Sequence, residues 1–172
     1  GHLPEGSKKA MSVADYFTQM LDQTLDWKRA EAIRKSWGDK PFCLKGVMSV
    51  GDAKRAIDIG ATAIMVSNHG GRQLDGSRAP FDQIAELADA VGDRIEIICD
   101  GGIQRGTHVL KALAAGAKAC SGGRLYLYAL GAAGEPGVRR ILTRLKAEIE
   151  RDMKLMGVTR IDQLDKSRLR RR

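Results

Sequence analysis

Ala63-Ile64-Met65-Val66-Ser67-Asn68-His69-Gly70-Gly71-Arg72-Gln73-Leu74-Asp75-Gly76 is an apolar run that empties into a polar, glycine-bearing loop. The four apolar residues predict a short buried strand over 63–66, and the loop after it carries a histidine and an arginine three residues apart. An imidazole can abstract a proton, and a guanidinium fork matches a planar anion. Side by side at a strand end, the two suit a small acid that bears its reactive hydrogen next to a carboxylate, such as a 2-hydroxy acid. Asp75 reads as a brace for the loop rather than a titrating catalyst.

Working outward, strands and helices alternate. Residues 41–47 read as a short apolar strand, and residues 49–60 as a helix capped by Ser49 and stopped by Gly60. Downstream of the loop, a helix is expected over 80–91 with Pro80 in its first turn, then a strand over 95–99. Gly101-Gly102-Ile103-Gln104-Arg105-Gly106 leads into a helix over 107–115, a fourth strand covers 117–120, and the last helices run from about 125 to 156. Upstream, a helix over 27–36 has Trp27 and Trp37 at its ends, both expected to pack. Residues 1–23 read as a loop with a short helix within 11–21, and the nine opening residues are polar.

Alternation of this kind means parallel strands joined by right-handed crossovers. Lys45, His69, Asp100 and Arg124 fall at or just past the ends of four successive strands, so all would face one mouth. Contributions from every strand favour a barrel over an open sheet, which concentrates its ligand at one switch point. A closed (β/α)8 barrel needs eight such units and typically about 250 residues. The expected fold is therefore α/β, one region over 1–172 that forms the C-terminal half of such a barrel.

Composition narrows the classes. At 172 residues and 43% hydrophobic the chain supports one globular core, and no apolar stretch has the length of a membrane-spanning helix. The opening residues carry no basic-then-apolar signal region, so a cytoplasmic location is expected, with a membrane-surface contact left open by the basic tail Arg168, Arg170, Arg171 and Arg172. The net charge of +8 is read mainly as solvated ends, and without interleaved aromatics it does not suggest nucleic-acid binding. Cys43, Cys99 and Cys120 lack metal-ligand spacing and are expected to be buried thiols.

Four motifs in order, Leu44-Lys45-Gly46-Val47, Ser67 to Gly76, Asp100 to Gly106 and Gly123-Arg124, resemble those of the FMN-dependent 2-hydroxy acid dehydrogenase/oxidase family. The resemblance covers roughly 24–169, and it implies an enzyme that oxidises an L-2-hydroxy acid, lactate-like, to the 2-keto acid with FMN as cofactor. It implies that Lys45 sits at the flavin N1/C2 carbonyl edge and Ser67 contacts the flavin. His69 then takes a proton from the substrate 2-position, and Arg72 clamps the carboxylate. Asp100, Gly101, Gly102, Ile103, Gln104, Gly123 and Arg124 are the remaining cofactor contacts. A fixed cation at the pyrimidine edge favours electron uptake by a flavin, which agrees with the placement of Lys45.

At the phosphate end, Gly101 and Gly102 allow close backbone approach, and the start of the helix near Thr107 is expected to offer unpaired N–H groups. Three departures from the family pattern stand out. Gln104 replaces a frequent arginine, with the adjacent Arg105 expected to compensate. Leu125 replaces Pro or Ala, which affects packing. The first four strands of the family, which supply substrate-binding tyrosines and a carboxylate behind the histidine, have no counterpart here, so the N-terminal half of the barrel is an expected partner. By resemblance the assembly is a homo-oligomer, a tetramer. The alternative from another class is a non-catalytic half-barrel that self-associates and at most binds phosphate.

Overall fold

The computed structural model describes residues 12–170. The polar opening stretch, Met11 and the last two arginines lie outside the described residues. The chain runs through α1 (Val13–Met20), α2 (Trp27–Trp37), β1 (Cys43–Lys45), α3 (Val50–Asp58), β2 (Ala63–Ser67), α4 (Pro80–Val91), β3 (Glu96–Asp100), α5 (Gly106–Ala114), β4 (Ala119–Ser121) and α6 (Gly123–Leu155). Local chemistry sets the boundaries. Asp26 accepts from the Arg29 amide at 2.8 Å to start α2, Ser49 accepts from Asp52 at 3.1 Å to start α3, and Pro80 occupies the first turn of α4. Gly60, with φ of 81°, ends α3 in the left-handed conformation that glycine adopts without penalty.

The four strands form one parallel sheet in the order β1-β2-β3-β4. A monotonic order has no switch point, so right-handed crossovers place every connecting helix on the same face. α4 packs over β2 and β3, α5 over β4, and α6 against α5. The helix-facing side of the sheet is the core: Ile64, Val66, Ile97 and Cys99 are at most 1% exposed and meet Ile84, Leu87 and Val91 of α4. Full burial of each such side chain contributes about 1.5–3 kcal/mol.

Because side chains alternate along a strand, the other face of the sheet carries different residues. The register aligns them in rows: Cys43, Ala63 and Glu96; then Lys45, Met65, Ile98 and Ala119; and at the carboxyl end Ser67, Asp100 and Ser121. No helix of the described residues covers this side, and Cys43, Lys45, Glu96 and Ala119 are exposed on it. The sheet is thus two-faced, one side packed and one side open with a polar top row.

Several expectations change. Cys43 is exposed rather than buried, because it points to the uncovered face of an edge strand; Cys99 is buried and Cys120 half-buried. Burial pushes the Cys99 thiol up to about 12, with smaller contributions from Cys120 and Asp100, and the Cys120 thiol up to about 11. Trp27 packs at the edge of the core, but Trp37 is half-exposed, with its indole donating to the Pro41 carbonyl at 3.0 Å. The last helix begins at Gly123, directly after β4, and bends at Ala133 and Gly134 just ahead of Pro136. Among the described residues, no helix is long and apolar enough to cross a membrane, and no group of three or more His, Cys, Asp or Glu could hold a metal ion.

Candidate functional site

The polar top row of the open face is the floor of a cleft. Ser67 ends β2 and ties three elements together: its Oγ accepts from Lys45 Nζ at 2.8 Å and from the His69 amide at 3.1 Å, and donates to Asp100 Oδ2 at 2.5 Å. Lys45 Nζ also reaches Asp100 Oδ2 at 2.9 Å. Burial alone would raise the Asp100 carboxyl, but hydrogen bonds from Ser67, Lys45 and Ser121 and the charge of Lys45 outweigh it and hold the group below its ordinary value. Asp100 is therefore an anion that fixes the ammonium of Lys45 in place. Its Oδ2 is engaged inside the protein, while the residue also borders the cleft.

His69, Gly70 and Gly71 form one 3-10 turn in which all three residues are left-handed, at φ 58°, 69° and 74°. His69 is the single non-glycine residue with positive φ among the described residues. Such a conformation costs on the order of 1–3 kcal/mol and concentrates at functional sites. It is held by the His69 amide on Ser67 below and by Asn68 above, whose Oδ1 accepts from the Gly71 amide at 3.1 Å. The strain presents the exposed imidazole and, one residue past the turn, the Arg72 side chain to the same cleft. Among the described residues neither side chain has a hydrogen-bond partner of its own.

The other end of the cleft departs from expectation. Glu148 of α6, 6% exposed, places Oε2 at 2.9 Å from the Gly106 amide, and both its oxygens lie within 3.1 Å of Arg105 Nε. Arg144 Nε meets the same carboxylate at 3.1 Å. The Gly106 amide and the two guanidinium partners hold Glu148 down at about 2, against the opposing effect of burial. The start of α5 is thus closed by the protein's own anion, and Arg105 is committed to it, so Arg105 does not stand in for the charge absent at Gln104. The Gln104 backbone N–H donates to His108 Nδ1 at 3.2 Å, and the Gln104 side chain is exposed on the cleft wall.

The start of α6 is different. Gly122 precedes it without a side-chain cap, and Gly123 and Arg124 open the helix on the cleft. The Arg124 guanidinium crosses to the Gly70 carbonyl at 2.8 Å, joining this end to the His69 turn. Of the sequence-predicted residues, Lys45, His69, Arg72, Asp100, Gly101, Gly102, Ile103, Gln104, Gly123 and Arg124 all line one cleft of about 300 Å³, and Ser67 lies beneath it. Glu148 and Ser121 were not foreseen. Glu148 has a sequence signature, a carboxylate within the stripe Ile141, Leu145, Ile149 that packs toward α5; Ser121 has none, since only the register puts it beside Asp100.

This donor set fits a flavin mononucleotide. Lys45 offers a fixed cation at one end, the uncapped start of α6 with Arg124 offers an anion seat at the other, and a Cβ built on Gly102 or Gly123 would enter space that no protein atom fills. Fold and site together define a flavin-binding parallel half-barrel. A family model described as FMN-dependent dehydrogenase matches residues 2–171, and the chain belongs to that family.

The chain is 46% identical over 147 residues to an L-lactate dehydrogenase of Caulobacter sp. (strain K31), covering 86% of this chain and 38% of that protein. It is 49% identical over 134 residues to a pre-mycofactocin synthase of Mycolicibacterium smegmatis, covering 78% and 33%. A crystal structure of mandelate oxidase with benzoyl-formic acid superposes with a TM-score of 0.78 at 44% identity, covering 81% of this chain and 42% of that one. The chain therefore spans less than half the length of these relatives, and it corresponds to their C-terminal portion.

Proposed function

We propose that this chain forms the catalytic-loop and phosphate-end half of an FMN-dependent enzyme that oxidises an L-2-hydroxy acid of lactate type to the 2-keto acid. The observation that carries the reading is the single 3-10 turn that delivers an imidazole and, next to it, an unpaired guanidinium to the cleft holding Lys45. Arg72 pairs with the substrate carboxylate through its two-pronged N–H fork and so fixes the 2-carbon. His69 takes the proton lost from the substrate 2-position. Bound FMN supplies the two-electron acceptor. Lys45, oriented by Ser67 and Asp100, holds positive charge at the pyrimidine edge, while Gly102, Gln104, Gly123 and Arg124 receive the phosphate, with Ile103 as a wall. The open sheet face and the two unpaired strand edges call for cover, which we assign to the N-terminal half of the barrel within a homo-oligomer.

The test is His69→Gln in the FMN-loaded protein. Loss of the base should slow L-lactate-dependent flavin bleaching by about 10²–10⁴-fold with FMN retained. Near-normal bleaching would remove His69 from the role. Arg72→Lys keeps the charge but loses the fork, and should raise the substrate concentration needed for half-saturation; unchanged saturation across 2-hydroxy acids would reject Arg72 as the carboxylate receptor. If this chain joined to an N-terminal half still stayed colourless with FMN and bleached with no hydroxy acid, the non-catalytic half-barrel alternative would be supported instead.

A further inference from the structure

A second cavity, of about 460 Å³, lies on the far side of the Gly70–Arg124 bridge, between the starts of α4 and α5. Its chemistry differs from that of the cleft. Pro80, Phe81 and Ile103 give it apolar walls, and Phe81 is 38% exposed there. Three cationic or donor groups join them: Lys111, which has no partner among the described residues, Arg124, and His108. His108 Nδ1 accepts from the Gln104 amide, so in the neutral ring Nε2 carries the proton and donates. Among the described residues, no carboxylate lines the cavity. Its volume lies in the usual range for small-molecule sites, which combine apolar walls with a few placed polar groups.

We propose that this cavity binds a small organic anion with an aromatic or branched apolar body, outside the catalytic cleft. The ring of Phe81 and the Pro80 and Ile103 side chains receive the body, and Lys111 with the His108 N–H receives the charge. Gly70, Gly101, Gly102, Ile103 and Arg124 line both cavities, and the Arg124–Gly70 hydrogen bond lies between them, so an anion held by Lys111 and His108 is coupled to the turn that carries His69. The proposal does not depend on what the catalytic cleft oxidises.

Benzoate and phenyl phosphate, titrated by ligand-observed NMR into the FMN-saturated protein, test it. Arg72→Ala removes the carboxylate receptor of the catalytic cleft and should leave one binding event intact. Lys111→Glu in that background should weaken the event by about tenfold or more with FMN retention unchanged, because an attractive charge becomes a repulsive one. Phe81→Ala, which removes the wall and keeps every charge, should weaken it as well, and it decides the matter should Lys111→Glu disturb the fold. Binding unchanged from the Arg72→Ala background in both Lys111→Glu and Phe81→Ala, or loss of all binding in Arg72→Ala, would overturn the proposal. The last result would leave the catalytic reading standing, whereas normal bleaching in His69→Gln would leave this cavity untouched.

Discussion

The starts of α5 and α6 sit side by side at the same mouth, and they are finished in opposite ways. Every helix start exposes unpaired N–H groups and a positive dipole end that attracts an anion. At α5 the protein supplies that anion itself: Glu148 takes the Gly106 amide and is gripped by Arg105 and Arg144. At α6 Gly122 gives no side-chain cap, and the first turn opens on the cleft. Sterics repeat the contrast. A Cβ on Gly106 would fall 2.6 Å from Glu148 Cβ and 2.7 Å from the Ile149 nitrogen, whereas one on Gly123 would meet nothing within 4 Å. One start is closed by the protein's own carboxylate and the other opens on the cleft where we propose the phosphate sits, so a glycine pair before a helix does not by itself say which helix holds a ligand.

Gly106→Ala should break the closed start and give the largest effect. The new methyl strikes backbone of α6, which cannot rotate away as a side chain can, so the cost should lie at the upper end for overpacking, about 3 kcal/mol or more. The urea midpoint reports it, and an unchanged midpoint would mean that α5 and α6 are not in contact as described.

Glu148→Gln should come next, because it leaves Arg105 and Arg144 without their counterion. The Glu148 carboxyl titrates at about 2 in the folded chain, below its ordinary 4.5. A depressed carboxylate contributes stability above the unfolded value and loses it as pH falls from about 4.5 toward about 2. The wild-type melting temperature should therefore fall through that window with a component that Glu148→Gln lacks. Parallel acid limbs for the two proteins would show that the carboxylate is not engaged.

Much of this contrast lay beyond sequence reading, for a physical reason. Strand-helix alternation, the cap at Ser49, the first-turn Pro80, and the gathering of Lys45, His69, Asp100 and Arg124 at one mouth follow from local patterns and from parallel pairing. The pairing of Glu148 with Arg105 spans 43 residues and depends on how α6 lies on α5, which no local pattern encodes. Arg105 accordingly looked like a spare phosphate ligand. Cys43 looked buried because it stands in an apolar run, but whether a strand face is covered depends on what packs there, not on the strand.

Gln104→Arg should sharpen the comparison from the open side. With Arg105 tied to Glu148, an arginine at the exposed position 104 adds a second guanidinium beside Arg124 for the phosphate. The gain should be about 1.5 kcal/mol, roughly tenfold in the FMN dissociation constant, at the lower end for a charge-assisted bond because the site is open to water. Arg105→Gln in parallel should lower stability and leave the FMN affinity of the folded fraction unchanged. A loss of FMN affinity in Arg105→Gln that matched the gain in Gln104→Arg would show that Arg105 leaves Glu148 when phosphate arrives.

Gly123→Ala should have the smallest effect on the fold and the opposite sign. Gly123 is helical, and its would-be Cβ is unopposed, so alanine costs no strain and restricts the unfolded chain. Stability should rise by about 0.4–1 kcal/mol. The same methyl projects into the cleft at the uncapped helix start, in the space assigned to the phosphate, so FMN should bind more weakly while the apoprotein melts higher. At the closed start an added methyl damages the protein, and at the open start it damages only the ligand site. Calorimetric melting with and without FMN separates the two effects. If Gly123→Ala melted higher in both conditions by the same amount, the phosphate would not be seated at α6.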